Sequence, residues 1–332
     1  MQCGGPVAFL AQPATVEEVQ ESLRVAREMA LLLRMLGGGS NLILAEAGFR
    51  GVLLQPSLAS IEQVEVLPHL PIHHSTGRYQ ARGEGFLKLE GHQDDLDGTP
   101  VAVRMGAGVP WGQAVAWTLH RNLAGLHKYA RIPCRVGGAI YNNIHAAQHL
   151  LSEHVAEVEA VNMEGQVHRY GPAELEFGYD HSRFHRHSEV IVAVTFGLHE
   201  VGAEEGAVNR ALYQQWTAEK GKVQPSGANC GSVFQNLTPE QAAVCGETAL
   251  AAAWYIDQCD LKGESEGGMQ VYPGHANFIV NRGDGTQADF IRLVQRVREK
   301  VADRWGFWLQ PEAECMTEQG EVVAWPATSL SV

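Results

Sequence analysis

Ile132-Pro-Cys-Arg-Val-Gly-Gly-Ala-Ile-Tyr-Asn-Asn-Ile-His-Ala-Ala147 is the stretch on which the reading of this chain turns. It joins apolar residues to two adjacent glycines and a run of side-chain donors, and it is too interrupted for ordinary core. Pro133 fixes its own φ and drives Ile132 toward an extended conformation. Gly137 and Gly138 lack Cβ atoms, so another backbone or a flat ligand can come close. Asn142, Asn143 and His145 supply hydrogen-bonding groups just beyond. Two readings stand at this point: a tight turn leading into a buried helix, or one wall of a ligand site.

Two more glycine clusters lie upstream. Leu31–Leu36 is an apolar run that stops at Gly37-Gly38-Gly39-Ser40-Asn41 before Leu42–Leu44 resumes it, which predicts strand, glycine turn, strand. Successive N–H groups in such a turn form a nest for phosphate, with Ser40 and Asn41 as added donors; a plain hairpin turn is the alternative. A dinucleotide fingerprint is excluded by register, because Leu42 stands where its third glycine belongs. Val101–Met105 alternates as a strand, and Gly106-Ala107-Gly108 closes it before a helix predicted over 111–120. Asp94-Asp95-Leu96-Asp97-Gly98 reads as a turn and lacks the remaining positions of a calcium loop. Near the start, Thr15 and Glu18 stand in capping-box spacing, and a helix over 15–35 places Val19, Leu23, Ala26 and Ala30 on one face.

Downstream, strands at 155–162 and 189–198 enclose the polar segment 177–185, and 202–210 reads as a boundary. The unit after it opens with Asn229-Cys-Gly-Ser-Val-Phe-Gln-Asn236. A helix follows, started by Thr238, Pro239 and Gln241 and burying Ala242, Cys245, Ala249, Ala252 and Ile256. Gly263–Gly274 reads as a loop, 275–281 as a strand, and 286–305 as a helix with Phe290, Val294, Val297 and Val301 inward. The tail carries Glu312, Glu314 and a short strand at 321–325.

Length and charge set outer limits. The 332 residues exceed what one core usually supports, so two or three domains are expected. With 25 basic against 38 acidic residues and a formal charge of −13, nucleic acid is a poor partner. Six cysteines without a Cys-x-x-Cys pair fit a reduced, cytoplasmic setting. No apolar stretch is long enough to span a membrane, and the first residues lack the pattern of an export signal. A monomer is expected. His181, His185 and His187 lack carboxylate or cysteine partners at ligand spacing, so no metal is expected.

Six motifs, taken in order, resemble the MurB family, the FAD-dependent UDP-N-acetylenolpyruvoylglucosamine reductases of cell-wall synthesis. They are Leu36–Leu44, Gly106–Trp111, Ile132–Ala139, Asn229–Asn236, His275–Asn281 and Leu309–Glu312. Together they cover about residues 5 to 316, with a longer stretch near 60–99. The resemblance implies an α+β fold: a two-lobed FAD-binding part of the vanillyl-alcohol-oxidase/MurB type (1–57 and 58–204), an α/β substrate domain (205–310), and a tail (311–332) returning to the site. It implies that Gly37, Gly38, Gly39, Ser40, Asn41, Gly106, Ala107, Gly108, Ile132, Pro133, Gly137, Gly138, Asn143 and His145 hold FAD, with NADPH as electron donor. Ser232 would give a proton to the substrate, a UDP-sugar. Glu312 would orient or polarise its carboxylate, and Tyr179, Asp180, His181 and Asn236 would contact it.

Departures bear on the chemistry. The family's Tyr-Arg-x-Ser reads Tyr179-Asp180-His181-Ser182, so an expected anion-binding arginine is a carboxylate here. Phe-Lys-Asn-Pro reads Phe234-Gln235-Asn236-Leu237, and Gly-Ala-Tyr-Gly reads His145-Ala146-Ala147-Gln148. Three functions follow as candidates: a reductase in which His181, Arg183 or Arg135 has taken over anion binding, an FAD oxidoreductase of this fold acting on another small molecule, or a non-catalytic FAD-binding paralogue. Retention of Ser232 with Glu312 disfavours the third. In an extended segment, Asp180 and Ser182 would share one face and His181 and Arg183 the other. Cys134 reads as a small buried residue, and His145 as polar core satisfied by backbone.

Overall fold

The computed structural model describes residues 1–66, 98–146 and 149–325. Most of the long 60–99 stretch lies outside them, with Asp94–Asp97 of the expected turn, as do Ala147, Gln148 and the last seven residues. The chain begins with β1 (Val7–Ala11), α1 (Val16–Glu28), β2 (Leu33–Met35), β3 (Leu42–Leu44) and β4 (Phe49–Leu54). The Thr15 hydroxyl accepts from the Glu18 N–H and the Glu18 carboxylate from the Ala14 N–H, which starts α1 at the expected residue. Val19, Leu23 and Ala26 are buried. The helix ends at Glu28, short of 35, because Ala30 takes a left-handed φ of 51° and leaves the helical face.

β1, β4 and β2 form a parallel sheet in that order. β3 follows the glycine turn as expected but makes no hairpin with β2. It pairs in parallel with the last strand among the described residues, Leu42 opposite Glu314. Gly37–Asn41 is therefore a crossing between two sheets.

The second unit contains β5 (Ile61–Val64), β6 (Thr99–Gly106), α2 (Trp111–His120), β7 (Leu123–Ala124), α3 (Val136–Tyr141), β8 (His145–Ala146), β9 (His149–Leu150), β10 (Val155–Asn162), β11 (Val167–Tyr170) and β12 (Glu189–Glu200). An antiparallel sheet in the order β11-β10-β12-β6-β5 carries α2 and α3 on its core face. Trp111, fully buried, packs edge-on against Phe196 and donates from Nε1 to the Tyr129 carbonyl at 3.0 Å. The opening stretch thus contains the buried helix of its first reading, α3, and also faces a cavity.

Residues 202–210 are not a linker. They begin α4 (Ala203–Val223), whose contacts run to α2 and β7 of the second unit. A Cβ at Gly206 would collide with the Asn122 side chain, so that glycine serves packing.

The last unit has β13 (Asn229–Ser232), α5 (Pro239–Val244), α6 (Ala252–Gln258), β14 (Ser265–Glu266), β15 (Met269–Val271), β16 (Phe278–Asn281), α7 (Gln287–Trp305) and β17 (Glu314–Met316). What read as one helix is two, because Gly246 enters the left-handed region at φ 75° after Cys245. The expected loop 263–274 folds as the β14–β15 hairpin. The strand expected at 275–281 starts at Phe278, and 321–325 holds one bridge, Val322 to Met316, in place of a strand. Phe290, Leu293, Val294, Val297 and Val301 of α7 are fully buried, each contributing about 1.5–3 kcal/mol of burial. Gln287 fastens this unit to the first: its side chain donates to the Ile43 carbonyl at 2.7 Å and the Met316 carbonyl at 3.0 Å.

Candidate active site

A cavity of about 1620 Å³ runs between these units. Its first wall is main chain. A Cβ on Gly37 would lie 3.4 Å from the Gly138 Cα, and one on Gly38 the same distance from the Cys134 Cα, so the two glycine segments face each other with room for a Cβ in close contact but not for a larger side chain. Gly39 takes φ 71°. Among the described residues, the N–H groups of Gly37 to Ser40 donate no hydrogen bond, and all four residues line the cavity. The adjoining loop is held in place by Gly137 N–H to the Ala107 carbonyl and Val136 N–H to the Val109 carbonyl, both 2.9 Å.

Other expected cofactor residues divide. Ala107, Ile132, Pro133, Gly137, Gly138 and His145 line the cavity. Gly106 and Gly108 face inward, where a Cβ would strike the backbone of Leu58 and Ser57, so they allow chain to meet chain. Asn143 is fully buried and braces the loop before Asp180, donating to the Gly178 carbonyl and accepting from Ser152 N–H, both at 2.8 Å. Asn41 lines the cavity, but its side chain donates to the Glu312 carbonyl at 2.9 Å and so anchors the tail. Burial pushes the Cys134 thiol up to about 12, which leaves it a neutral packing residue.

The facing wall is made of side chains. Ser232 ends β13, and Glu312 is set beside that strand by its N–H to the Val233 carbonyl at 2.8 Å. Asn277 clamps the same strand, its side chain accepting from Phe234 N–H and donating to the Phe234 carbonyl. Ser232, Asn236, Glu312, Glu314 and Asp180 all line the cavity. The segment carrying Asp180 is not extended: Asp180 has φ 50°, in a turn closed by Gly178 N–H to the His181 carbonyl. The alternation expected there is therefore absent. Arg183 turns away and lies over the Tyr170 ring at 3.8 Å, 3.4 Å from Glu189, so it cannot meet a ligand in the cavity. His181 packs toward His185 and Tyr179 toward His145, and neither lines the cavity. Of the three proposed substitutes for the missing arginine, only Arg135 faces it.

His145 is held by side chains and not by backbone. Its Nδ1 is 3.2 Å from Asp180 Oδ1 and its Nε2 is 3.1 Å from the Tyr179 hydroxyl. Burial, followed by the charge of Asp180, holds the Glu312 carboxyl well above the usual carboxylate range, which favours its protonated form. Burial also raises Glu314. At the other end, burial and then the Arg131 charge lower the Lys220 ammonium to about 8. Trp216 and Lys220 were missed because the start of α4, at 202–210, was read as a boundary; their spacing of four residues, one helical turn, was the available signal. Among the described residues no three His, Cys, Asp or Glu side chains are grouped to hold a metal ion, and no helix is long and apolar enough to cross a membrane.

Residues 224–316 match the model of the UDP-N-acetylenolpyruvoylglucosamine reductase C-terminal domain, and 72–171 that of an FAD binding domain. The chain is 31% identical to the UDP-N-acetylenolpyruvoylglucosamine reductase of Geobacter metallireducens, over 96% of its own length and 91% of that relative's. It belongs to the UDP-N-acetylenolpyruvoylglucosamine reductase family. The reductase of Moorella thermoacetica is also 31% identical, over 95% and 89% of the two chains. The crystal structure of the Thermus caldophilus family member superposes with a TM-score of 0.66 at 26% identity, covering 94% of this chain and 93% of that one. The two-lobed FAD-binding α+β architecture with a further α/β domain is that of the reductase family. The cavity fits the cofactor: close glycine backbones leave space for a flat ring, and free turn N–H groups suit anionic oxygens.

Proposed function

We propose that this chain reduces the enolpyruvyl group of a UDP-N-acetylglucosamine derivative, with electrons from NADPH, in the synthesis of the cell-wall precursor. The observation that carries this reading is that Ser232 and Glu312, fastened to neighbouring backbone, open into the same cavity as the glycine wall. Bound FAD supplies a store for the hydride of NADPH and its delivery to the double bond. Ser232 gives its O–H proton to the adjacent carbon; a hydroxyl is a weak acid, so the step depends on its being held against the developing charge. Glu312, whose burial favours the protonated form, donates a hydrogen bond to the substrate carboxylate where a charged glutamate would repel it. Asp180 cannot bind that carboxylate, and Arg135 is the cation we assign to it, with Asn236 beside the sugar. Gly37–Ser40 hold the cofactor diphosphate and Lys220 meets an anionic group of either nucleotide. We infer a cytoplasmic monomer, a reading supported by the acidic surface charge.

Anaerobic reduction of the purified yellow protein with NADPH, followed by the enolpyruvyl sugar nucleotide, tests the reading. Reoxidation with formation of the lactyl ether supports it. Stable reduced protein in the presence of that substrate would overturn it.

A further inference from the structure

Two locally unfavourable choices meet at the far end of the cavity. Arg131 takes a left-handed φ of 58°, which a Cβ disfavours, and Gly221 stands inside α4, where glycine weakens a helix. Together they set a guanidinium where α4 has no side chain. A Cβ on Gly221 would lie 3.4 Å from Arg131 Nη1 and 3.8 Å from its Cζ, and a longer side chain would push the group away. The neighbouring residue of α4, Lys220, reaches back to the same segment and donates from Nζ to the Ala130 carbonyl at 2.8 Å. Both cations line the cavity.

Like charges held side by side disfavour each other, and Arg131 does lower the Lys220 ammonium. Elsewhere in this acidic chain such charges are matched: Arg24, Arg104, Arg292 and Arg296 each face two carboxylates. Among the described residues, neither Arg131 nor Lys220 forms an ion pair with a carboxylate. The pair therefore lacks an anion that a ligand can supply. Trp216, one helical turn before Lys220, is held by parallel stacking on the His127 ring, with centroids 6.1 Å apart, and also lines the cavity. An aromatic surface one turn from two cations suits a nucleotide better than a small inorganic ion.

We propose that Arg131 and Lys220 form a phosphate site for the nucleotides that enter and leave the cavity, in addition to the glycine turn that holds the cofactor diphosphate. This rests on the function proposed above and deepens the part given there to Lys220. The guanidinium offers paired N–H donors and the ammonium a point charge, and phosphate oxygens accept from both. The group bound is the 2′-phosphate of NADPH or the diphosphate of the sugar nucleotide, which share this chemistry.

Titration calorimetry of the oxidised holoprotein with NADP⁺, NAD⁺ and the enolpyruvyl sugar nucleotide reads the site without turnover. Arg131→Met is expected to keep its FAD and to weaken NADP⁺ or the sugar nucleotide about 10-fold, and Lys220→Met several-fold. Arg131→Lys should recover part of the loss. Gly221→Leu keeps both charges, favours the helix and displaces the guanidinium, and should weaken the same ligand. Weakening of NADP⁺ with NAD⁺ unchanged assigns the 2′-phosphate; weakening of the sugar nucleotide assigns its diphosphate. Native affinity for all three in Arg131→Met, or loss of FAD from a variant that melts as the native protein does, overturns the site. If binding responds as described while the reduced native protein is not reoxidised by the enolpyruvyl sugar nucleotide, the substrate assignment fails and the phosphate site stands.

Discussion

On one side of the cavity Gly37–Asn41 meets 134–138 main chain to main chain; on the other, Ser232, Asp180 and Glu312 line it with side chains. The first wall asks only that no bulky side chain intrude. Cys134 therefore stands in it as a neutral packing residue. The second wall has no such tolerance, because each side chain there is a donor, an acceptor or a charge. The change at Asp180 is matched by one at His145, as a side-chain wall requires.

The largest effect should come from putting a branched side chain on the first wall. Gly38→Val forces methyl groups into the Cys134 backbone, already 3.4 Å from where its Cβ would lie, and purified protein should be nearly colourless and unable to retain added FAD. Gly38→Ala should keep most of its flavin, which separates crowding from loss of glycine flexibility. If Gly38→Val keeps its flavin, the main-chain wall is not the cofactor's.

Next in size is Ser232→Ala. Stopped-flow traces should show flavin reduction by NADPH near the native rate and reoxidation slower by about 10²-fold or more. Equal slowing of both halves would mean that Ser232 positions substrate and does not donate the proton.

A several-fold effect is expected at the cavity's far end. Lys220 titrates at about 8, so affinity for an anionic nucleotide should weaken as pH rises through 8, and Lys220→Met should be weaker at pH 7 and insensitive to pH there. Titration calorimetry of NADP⁺ or the sugar nucleotide at pH 7 and 9 reads both.

The smallest effect is one of stability and has a definite sign. Glu312 titrates higher in the folded chain than its ordinary value of about 4.3. As pH rises from that value to the folded one, the unfolded chain alone loses the proton, so the native state loses stability over this window. Glu312→Gln should match native protein in thermal melting near pH 4 and melt higher at pH 8. A lower melting point for the variant at pH 8 would show Glu312 to be stabilised as a carboxylate.

Elements with strong local signals were legible in the sequence. Thr286 followed by the apolar period of 290–301, and Thr15 with Glu18, mark helix starts that the structure reproduces to the residue. The glycine clusters were legible as sites of close approach, but not which of them faces ligand: Gly106 and Gly108 look like Gly137 in sequence and differ only in what lies opposite them. The α4 helix was hidden because its face is nearly all polar and its contacts come from Asn122 and His127, far away in the chain. The turn at Asp180 was hidden because its left-handed φ is imposed by Asn143 bracing Gly178, a contact across 35 residues.

The pairing of β17 with β3 also governs when the enzyme can exist during its own synthesis. Units nearer the amino terminus fold first as the chain emerges, so the glycine wall can form long before Glu312 is made. Until Glu314–Met316 arrives, β3 is an open edge and Asn41 lacks the carbonyl it anchors. A chain halted before Glu312 thus lacks its acid and keeps an unpaired strand, which marks it for chaperones or proteases before it can consume NADPH without product.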